Sequence, residues 1–393
     1  MRRPSTWATK ISQSVDKESV DMKMKLFAAA VAALAAGGAY AQSSVTLYGV
    51  VDAGIEYQQN QPNGHDVVRM TSGNLSGSRW GLRGVEDLGG GLKGVFVLES
   101  GFNLDDGKSG NDNRLFGRQA YVGLASQYGQ LSLGRHQTPF YDFGLQFDPM
   151  AISNKYSITA QDAAFASRAD NSVKYIGTFG GLTASALYSA GANTGAGALG
   201  EVPGSAKLGR EFGANLTYAA GPFAVGAAYD EVNLASANAV GTVVNPDATI
   251  RRASVAGSYG FGPAKVYAGY RWAKGVDLGA LPFQGQNIQA ITGAKASSNL
   301  YWLGVGYQVT PALSLTGAAY YQDFRGQKGD PWSFVASADY AFSKRTDAYL
   351  SLGYVLNKNN SNLGLDGFGK VSTNASGEGD NQFGAVVGLR HKF

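Results

Sequence analysis

From Val45 to Tyr57 the chain keeps one parity apolar and the other polar. Val45, Leu47, Gly49, Val51, Ala53, Ile55 and Tyr57 alternate with a set that includes Thr46, Tyr48, Asp52 and Glu56. Period two over thirteen residues specifies a strand with two unlike faces. It is also long, because ordinary globular strands centre on about five or six residues. The pattern recurs to give sixteen strands, near 45–57, 76–87, 91–102, 114–125, 129–136, 171–179, 182–189, 209–219, 222–230, 250–260, 263–272, 299–309, 312–322, 331–342, 345–357 and 382–393. Their connections alternate in length. Tight turns fall at "DLGGG", "SQYG", "FGG", "AAGP", "GFGP", "VTPA" and "FSK", with Gly and Pro supplying the geometry in most of them. Long segments of low hydrophobicity separate these pairs, at 58–75, 137–170, 190–208, 231–249, 273–298 and 358–381.

Many long structureless loops are foreign to a compact soluble domain. Short turns on one side and long loops on the other are the plan of an outer-membrane barrel. The expected fold is therefore all-β: a 16-stranded antiparallel transmembrane β-barrel with short periplasmic turns and long external loops. Its apolar parity faces lipid and its polar parity the lumen. Pairing of the last strand with the first removes the open edge that hydrocarbon cannot satisfy. Aromatic residues near strand ends, including Tyr57, Tyr270, Trp272, Tyr320, Tyr321, Trp332, Phe342 and Phe393, suit girdles at the two membrane interfaces.

Composition narrows the chemistry. No apolar run reaches the roughly 20 residues of a membrane helix, and mean hydropathy is −0.14. Cysteine is absent, which excludes disulfides, thiolate zinc sites and a Cys nucleophile. Lys and Arg number 33 against 29 Asp and Glu, a balance too mild for a nucleic-acid partner. Removing residues 1–41, with their six cations and three acids, leaves 27 against 26. His65, His136 and His391 are dispersed and form no catalytic or metal-binding pattern. "GAGALG" at 195–200 fits G-x-G-x-x-G but lacks a following helix, so it fails its context as a dinucleotide site. No enzyme activity, cofactor or metal is expected.

Both ends are informative. "MKMKLFAAAVAALAAGGAYAQ" has two lysines, an apolar run from Leu26 and Ala39-Tyr40-Ala41, the three regions of a secretory signal peptide cleaved before Gln42. Residues 22–41 are read as that signal, 1–21 as an extension from a start assigned too early, and 42–393 as the barrel. The other end, "GAVVGLRHKF", places Phe393, Leu389 and Val387 on one parity and stops on the aromatic.

These features resemble the general diffusion porins of Gram-negative outer membranes, most closely the β-proteobacterial type. The resemblance runs from Ser44 to Phe393 and is carried by "SSVTLYGVVDAG", "SGSRWGLRGVEDLGGGLKGVFVLESGF", "LFGRQAYVGL", "GQLSLGRHQTPFYD", "SRADNSVKY", "SKRTDAYLSLGYV" and the terminal "GLRHKF". It implies a homotrimer in the outer membrane, among its lipids and lipopolysaccharide, through which small hydrophilic solutes and ions diffuse passively. It also implies that Phe393, with Leu389 and Val387, is read by the barrel assembly machinery. Finally, it implies that segment 137–170 folds inward as a constriction loop, bringing Asp142, Asp148 and Asp162 into the pore. Asp148-Pro149 suits the start of a short helix there.

Cations are expected on the wall opposite. Trp80 and Leu82 face lipid or a neighbour, so Arg79 and Arg83 on the opposite parity face the lumen, and Lys93 and Glu99 share the polar parity of the third strand. Arg118 shares parity with Ala120 and Val122, which leaves its direction open; the resemblance favours inward. The resemblance also places a basic residue at Arg168. Arg135 shares parity with Leu131 and Leu133 and reads as a subunit contact. Rows of cations facing carboxylates across a narrow opening would set up a transverse field. The five wall cations outnumber the three loop acids, which favours a weak anion preference. The alternative is a channel selective for anionic metabolites. Mass spectrometry of the envelope-extracted protein is expected to find no peptides from residues 4–20; their presence would overturn the N-terminal assignment.

Overall fold

β1 (Ser44–Gln58) has the inverse burial of a soluble strand. Val45, Leu47 and Ile55 are 64%, 60% and 47% exposed, while Asp52, Glu56 and Gln58 are fully buried. Its apolar face looks outward and its polar face looks into the barrel, the arrangement lipid requires. The computed structural model describes residues 44–192, 200–234, 236–237, 243–244, 246–277, 297–325 and 329–393. The expected signal peptide and the segment before it lie outside the described residues.

The second barrel strand, β2, has two segments, Val67–Ser72 and Arg79–Gly89, and both pair with β1. The barrel continues through β3 (Leu92–Gly101), β4 (Gln119–Ser126), β5 (Gly129–Gln137), β6 (Arg168–Phe179), β7 (Leu182–Ser189), β8 (Glu211–Ala220), β9 (Phe223–Asn233), β10 (Thr249–Phe261), β11 (Ala264–Val276), β12 (Ser297–Gln308), β13 (Leu313–Phe324), β14 (Trp332–Ala341), β15 (Thr346–Leu356) and β16 (Gln382–Lys392). Each strand pairs antiparallel with the next, and β16 returns to β1 in a register from Val50↔Lys392 to Gln58↔Gly384. Gly49 and Phe393 extend that ladder by exchanging backbone hydrogen bonds of 3.0 and 3.1 Å. The result is the closed 16-stranded antiparallel barrel that the alternation implied.

Two strands differ from expectation. The outer segment of β2 falls in what reads as a loop, because residues 73–78 interrupt the strand. There the Asp52 carboxylate accepts from the Leu75 and Ser76 backbone N–H groups at 2.9 and 2.8 Å, replacing the missing ladder. β4 begins at Gln119, not near 114, because Asn111, Asp112 and Asn113 adopt left-handed φ values of 51°, 63° and 58° and form a turn.

Aromatic residues form a continuous outer row. Tyr270, Tyr301, Tyr321 and Trp332 are register partners across β11–β14, with successive ring centroids 5.1, 6.2 and 4.5 Å apart. Tyr320 does not join this girdle: it points inward and is fully buried. At the seam, the Phe393 ring lies over Gly49, where any Cβ would overlap it. Deleting Phe393, or the change Gly49→Val, is expected to lower the yield of folded barrel far more than the conductance of the barrels that form. Heat-modifiability on gels and bilayer recording check this, and undiminished yield from both variants would refute it.

Candidate functional site: a cationic constriction

Residues 138–167 fold into the barrel. Thr138 caps a helix, α1 (Pro139–Phe147), accepting from the Tyr141 N–H at 3.2 Å, with Pro139 at its start. The cap-plus-proline signal thus acts at Thr138-Pro139. Asp148 ends this helix instead of starting one, and at Ala151 and Ile152 the chain turns with φ of 49° and 50°. α1 buries Phe140, Phe143 and Phe147 in a cluster with Phe165 and Trp302.

The loop is fastened to the wall at widely spaced strands. Asn215 of β8 donates to the Pro139 carbonyl at 2.8 Å, and Trp302 of β12 donates to the Phe147 carbonyl at 3.0 Å. The Tyr320 hydroxyl of β13 donates to Asp148 at 2.6 Å. The Tyr156 hydroxyl donates to Glu56 of β1 at 3.0 Å. Lys155 bridges Glu56 and Asp366, the latter in the loop between β15 and β16.

All three expected loop acids are used in this fastening. Asp142 is ion-paired with Lys174 of β6 at 2.6 Å. Asp148 is buried, held by Tyr320 and by the Ile152 N–H. Asp162 is buried against Arg271 of β11 at 3.0 Å and Arg252 of β10 at 3.4 Å. The resemblance places these carboxylates in the pore, opposite the wall cations across the opening. The structure instead turns them to the wall, because a buried carboxylate needs a partner charge or several donors.

The cations divide differently. Arg79, Arg118 and Arg168 converge on one cavity of about 240 Å³, completed on the loop side by Tyr141, Leu145, Ala151 and Asn154. No carboxylate lines it among the described residues. Glu99 sits behind, 2.7 Å from Arg118 and 3.6 Å from Arg79, and accepts from the Tyr48 hydroxyl at 3.0 Å. Arg168 lies over the Tyr141 ring at 5.3 Å and donates to the Ala166 carbonyl. Arg83 and Lys93 do not join this cluster. Arg83 lies over Tyr48 nearer the β2–β3 turn, and Lys93 is exposed opposite Asp87 beside that turn. Arg135 is no outward contact residue. A register shift at Gly134 accompanies its pairing, with Arg114, to Asp170.

The closed 16-stranded barrel has counterparts among known proteins. Residues 28–360 match the family model described as Gram-negative porin. The chain belongs to the Gram-negative porins. It is 34% identical to an outer membrane porin of Bordetella pertussis, over 95% of this chain and 100% of that one. It is 31% identical to outer membrane porin protein 32 of Delftia acidovorans, with the same coverage. Among solved structures it resembles an anion-selective porin from Comamonas acidovorans, with a TM-score of 0.72, 27% identity, and coverage of 90% of this chain and 100% of that chain. This porin is thus an outer-membrane channel for passive diffusion of small hydrophilic solutes and ions.

Several residues that build the constriction were not singled out in the sequence. Arg252 and Arg271 sit on the polar parity of β10 and β11, so strand alternation alone could have flagged them. Tyr141, Lys155 and Tyr156 carry no such signal, since they lie in an irregular loop. At Asp366, burial works to raise the carboxyl, but Lys155 and Arg69 outweigh it and hold it below the usual carboxylate range. A lowered folded-state value means its contribution is present at neutral pH and is lost only as pH falls through that value.

Asp162→Ala would leave Arg271 buried without its carboxylate, a loss of about 3–5 kcal/mol for a broken buried pair. A clear drop in the thermal unfolding midpoint is expected for this variant. Asp106→Ala, which breaks an exposed pair with Lys108, is expected to leave it unmoved.

Proposed function

We propose that this porin is weakly anion-preferring and that Arg79, Arg118 and Arg168 carry the preference. The supporting observation is the sign of the cavity wall: three guanidinium groups line it and the loop acids face elsewhere. A low-dielectric wall focuses the field of such a cluster and raises the local anion concentration. Charged groups at a constriction bias ion choice without any covalent step, so this reading assigns the chain no chemical reaction. Glu99 offsets part of the charge, which keeps the preference weak. The anion selectivity stated for the Comamonas acidovorans porin supports the same reading.

The partners proposed are a homotrimer, outer-membrane lipid with lipopolysaccharide, and the barrel assembly machinery. Leu47, Ile55, Met70, Leu131, Leu133 and Leu389, exposed aliphatic side chains on β1, β2, β5 and β16, give an apolar outer surface on which lipid or a second copy can pack.

The reversal potential of single channels in a KCl gradient is expected to report anion preference. The preference should strengthen at low salt, where screening lengthens from about 10 Å at 0.1 M to about 30 Å at 0.01 M. Arg168→Gln should reduce it with the channel otherwise intact. Cation preference in the wild type would overturn the reading. Saturable block by one small dianion would favour the rival reading, a channel selective for anionic metabolites.

A further inference from the structure

Four glycines of the barrel strands, Gly226, Gly304, Gly353 and Gly384, lie directly beneath the constriction loop. A Cβ built on Gly226 would meet the Phe147 ring at 2.7 Å. On Gly304 it would overlap the Pro149 ring. On Gly353 it would meet Tyr156 Cγ at 2.9 Å and Leu365 at 2.6 Å, and on Gly384 it would meet the Tyr156 hydroxyl and Leu365, both at 2.6 Å. None of the four has a positive φ, so local backbone conformation does not call for glycine at any of them; at Gly304 the Gly317 carbonyl oxygen of β13 also stands 2.7 Å from the added Cβ. Glycine weakens a strand interior through lost packing and added chain entropy. It is found there where something else approaches closely. Here Phe147, Pro149 and Tyr156 of one loop each rest on a bare patch of backbone in β9, β12 and β15–β16, where Leu365 of the β15–β16 loop shares the contact with Tyr156.

We infer that Gly226, Gly304, Gly353 and Gly384 set the bore of the channel: they form a track that lets the loop lie flat on the wall. The loop has the wall on one face and the Arg79–Arg118–Arg168 cavity on the other. A close-packed contact does not absorb an added methyl. A side chain on the track therefore lifts the loop into the cavity and narrows the passage. The four glycines determine solute size limits without touching solute, as positioning residues. This rests on the channel itself and not on its ion preference.

Gly306 supplies an internal control. It is two residues from Gly304 on β12, shares its inward parity, and has nothing within 4 Å of the point where a methyl would stand. Gly304→Ala, Gly226→Ala and Gly353→Ala are each compared with Gly306→Ala by single-channel recording and by liposome swelling with sugars of increasing size. Each track variant is expected to lose roughly a fifth or more of its conductance, since passage depends on pore diameter, and to admit only smaller sugars. Gly306→Ala should match the wild type. If Gly304→Ala does not assemble, the other two decide. Wild-type conductance and size limit in the assembled track variants would overturn the inference. So would failure of all three to assemble, which would make these glycines folding residues and not bore-setting ones. A changed reversal potential with unchanged size limit would also count against it.

Discussion

Every backbone N–H and C=O that faces hydrocarbon has to be paired within the chain, and a sheet with an open edge cannot meet that demand. The β1–β16 seam is where it is met. Residues at opposite ends of the sequence share a ladder from Gly49–Phe393 to Gln58–Gly384. Side chains reinforce it from inside. Arg390 of β16 reaches Asp347 of β15 and Asp339 of β14 at 3.0 Å, and Ser76 at 2.9 Å. Asp52 of β1 takes the Leu75 and Ser76 N–H groups and the Tyr349 hydroxyl of β15. The closing edge is thus crossed by a polar network spanning β14, β15, β16, β1 and β2. The same residues bridge the break in β2, so closure and the lumen surface near the constriction depend on one set of groups.

Closure also determines where polar residues go. With lipid outside, apolar side chains turn outward and the lumen collects the charge. Charges gathered inside a narrow tube must be paired or hydrogen-bonded. The constriction loop is the partner for much of the far wall. Asp142, Asp148 and Asp162 meet Lys174, Tyr320, Arg252 and Arg271, while Lys155 and Tyr156 meet Glu56. The apolar side of the loop, centred on Phe143, Phe147 and Phe165, covers the barrel interior in the same way a core would. The loop is therefore part of the packing of the wall, with a defined position, and not a flap resting in open water.

The strands were legible in the sequence because the constraint acts on every residue of a strand. Inversion of the soluble pattern writes itself as period two, and all sixteen strands follow from it. The outer segment of β2 is short and is cut off from the rest of its strand by an interruption at 73–78, whose N–H groups are satisfied by the Asp52 carboxylate from another strand and not by a local pattern. The loop's path was illegible for the same kind of reason. Its contacts join residues 100 apart at Tyr156–Glu56 and 172 apart at Tyr320–Asp148. No local pattern says whether a loop acid faces the wall or the opening. Arg118 was ambiguous by parity because the strand begins only at Gln119, so alternation does not yet govern its direction.

On the proposed reading, the sign of the passage follows from these placements and not from the net charge. Past residue 41 the chain carries nearly equal numbers of acids and bases. A symmetric distribution of them would leave the cavity neutral. Fixing the loop to the wall requires carboxylates on the loop's rear, and each one used there is withdrawn from the opening. The wall on the open side keeps its arginines, with Glu99 behind them as partial compensation. The anchoring that holds the loop in place and the cationic character of the cavity are then two consequences of the same pairing. On this view, moving a single carboxylate from the rear of the loop to its open face would weaken the anchoring and neutralise the passage together.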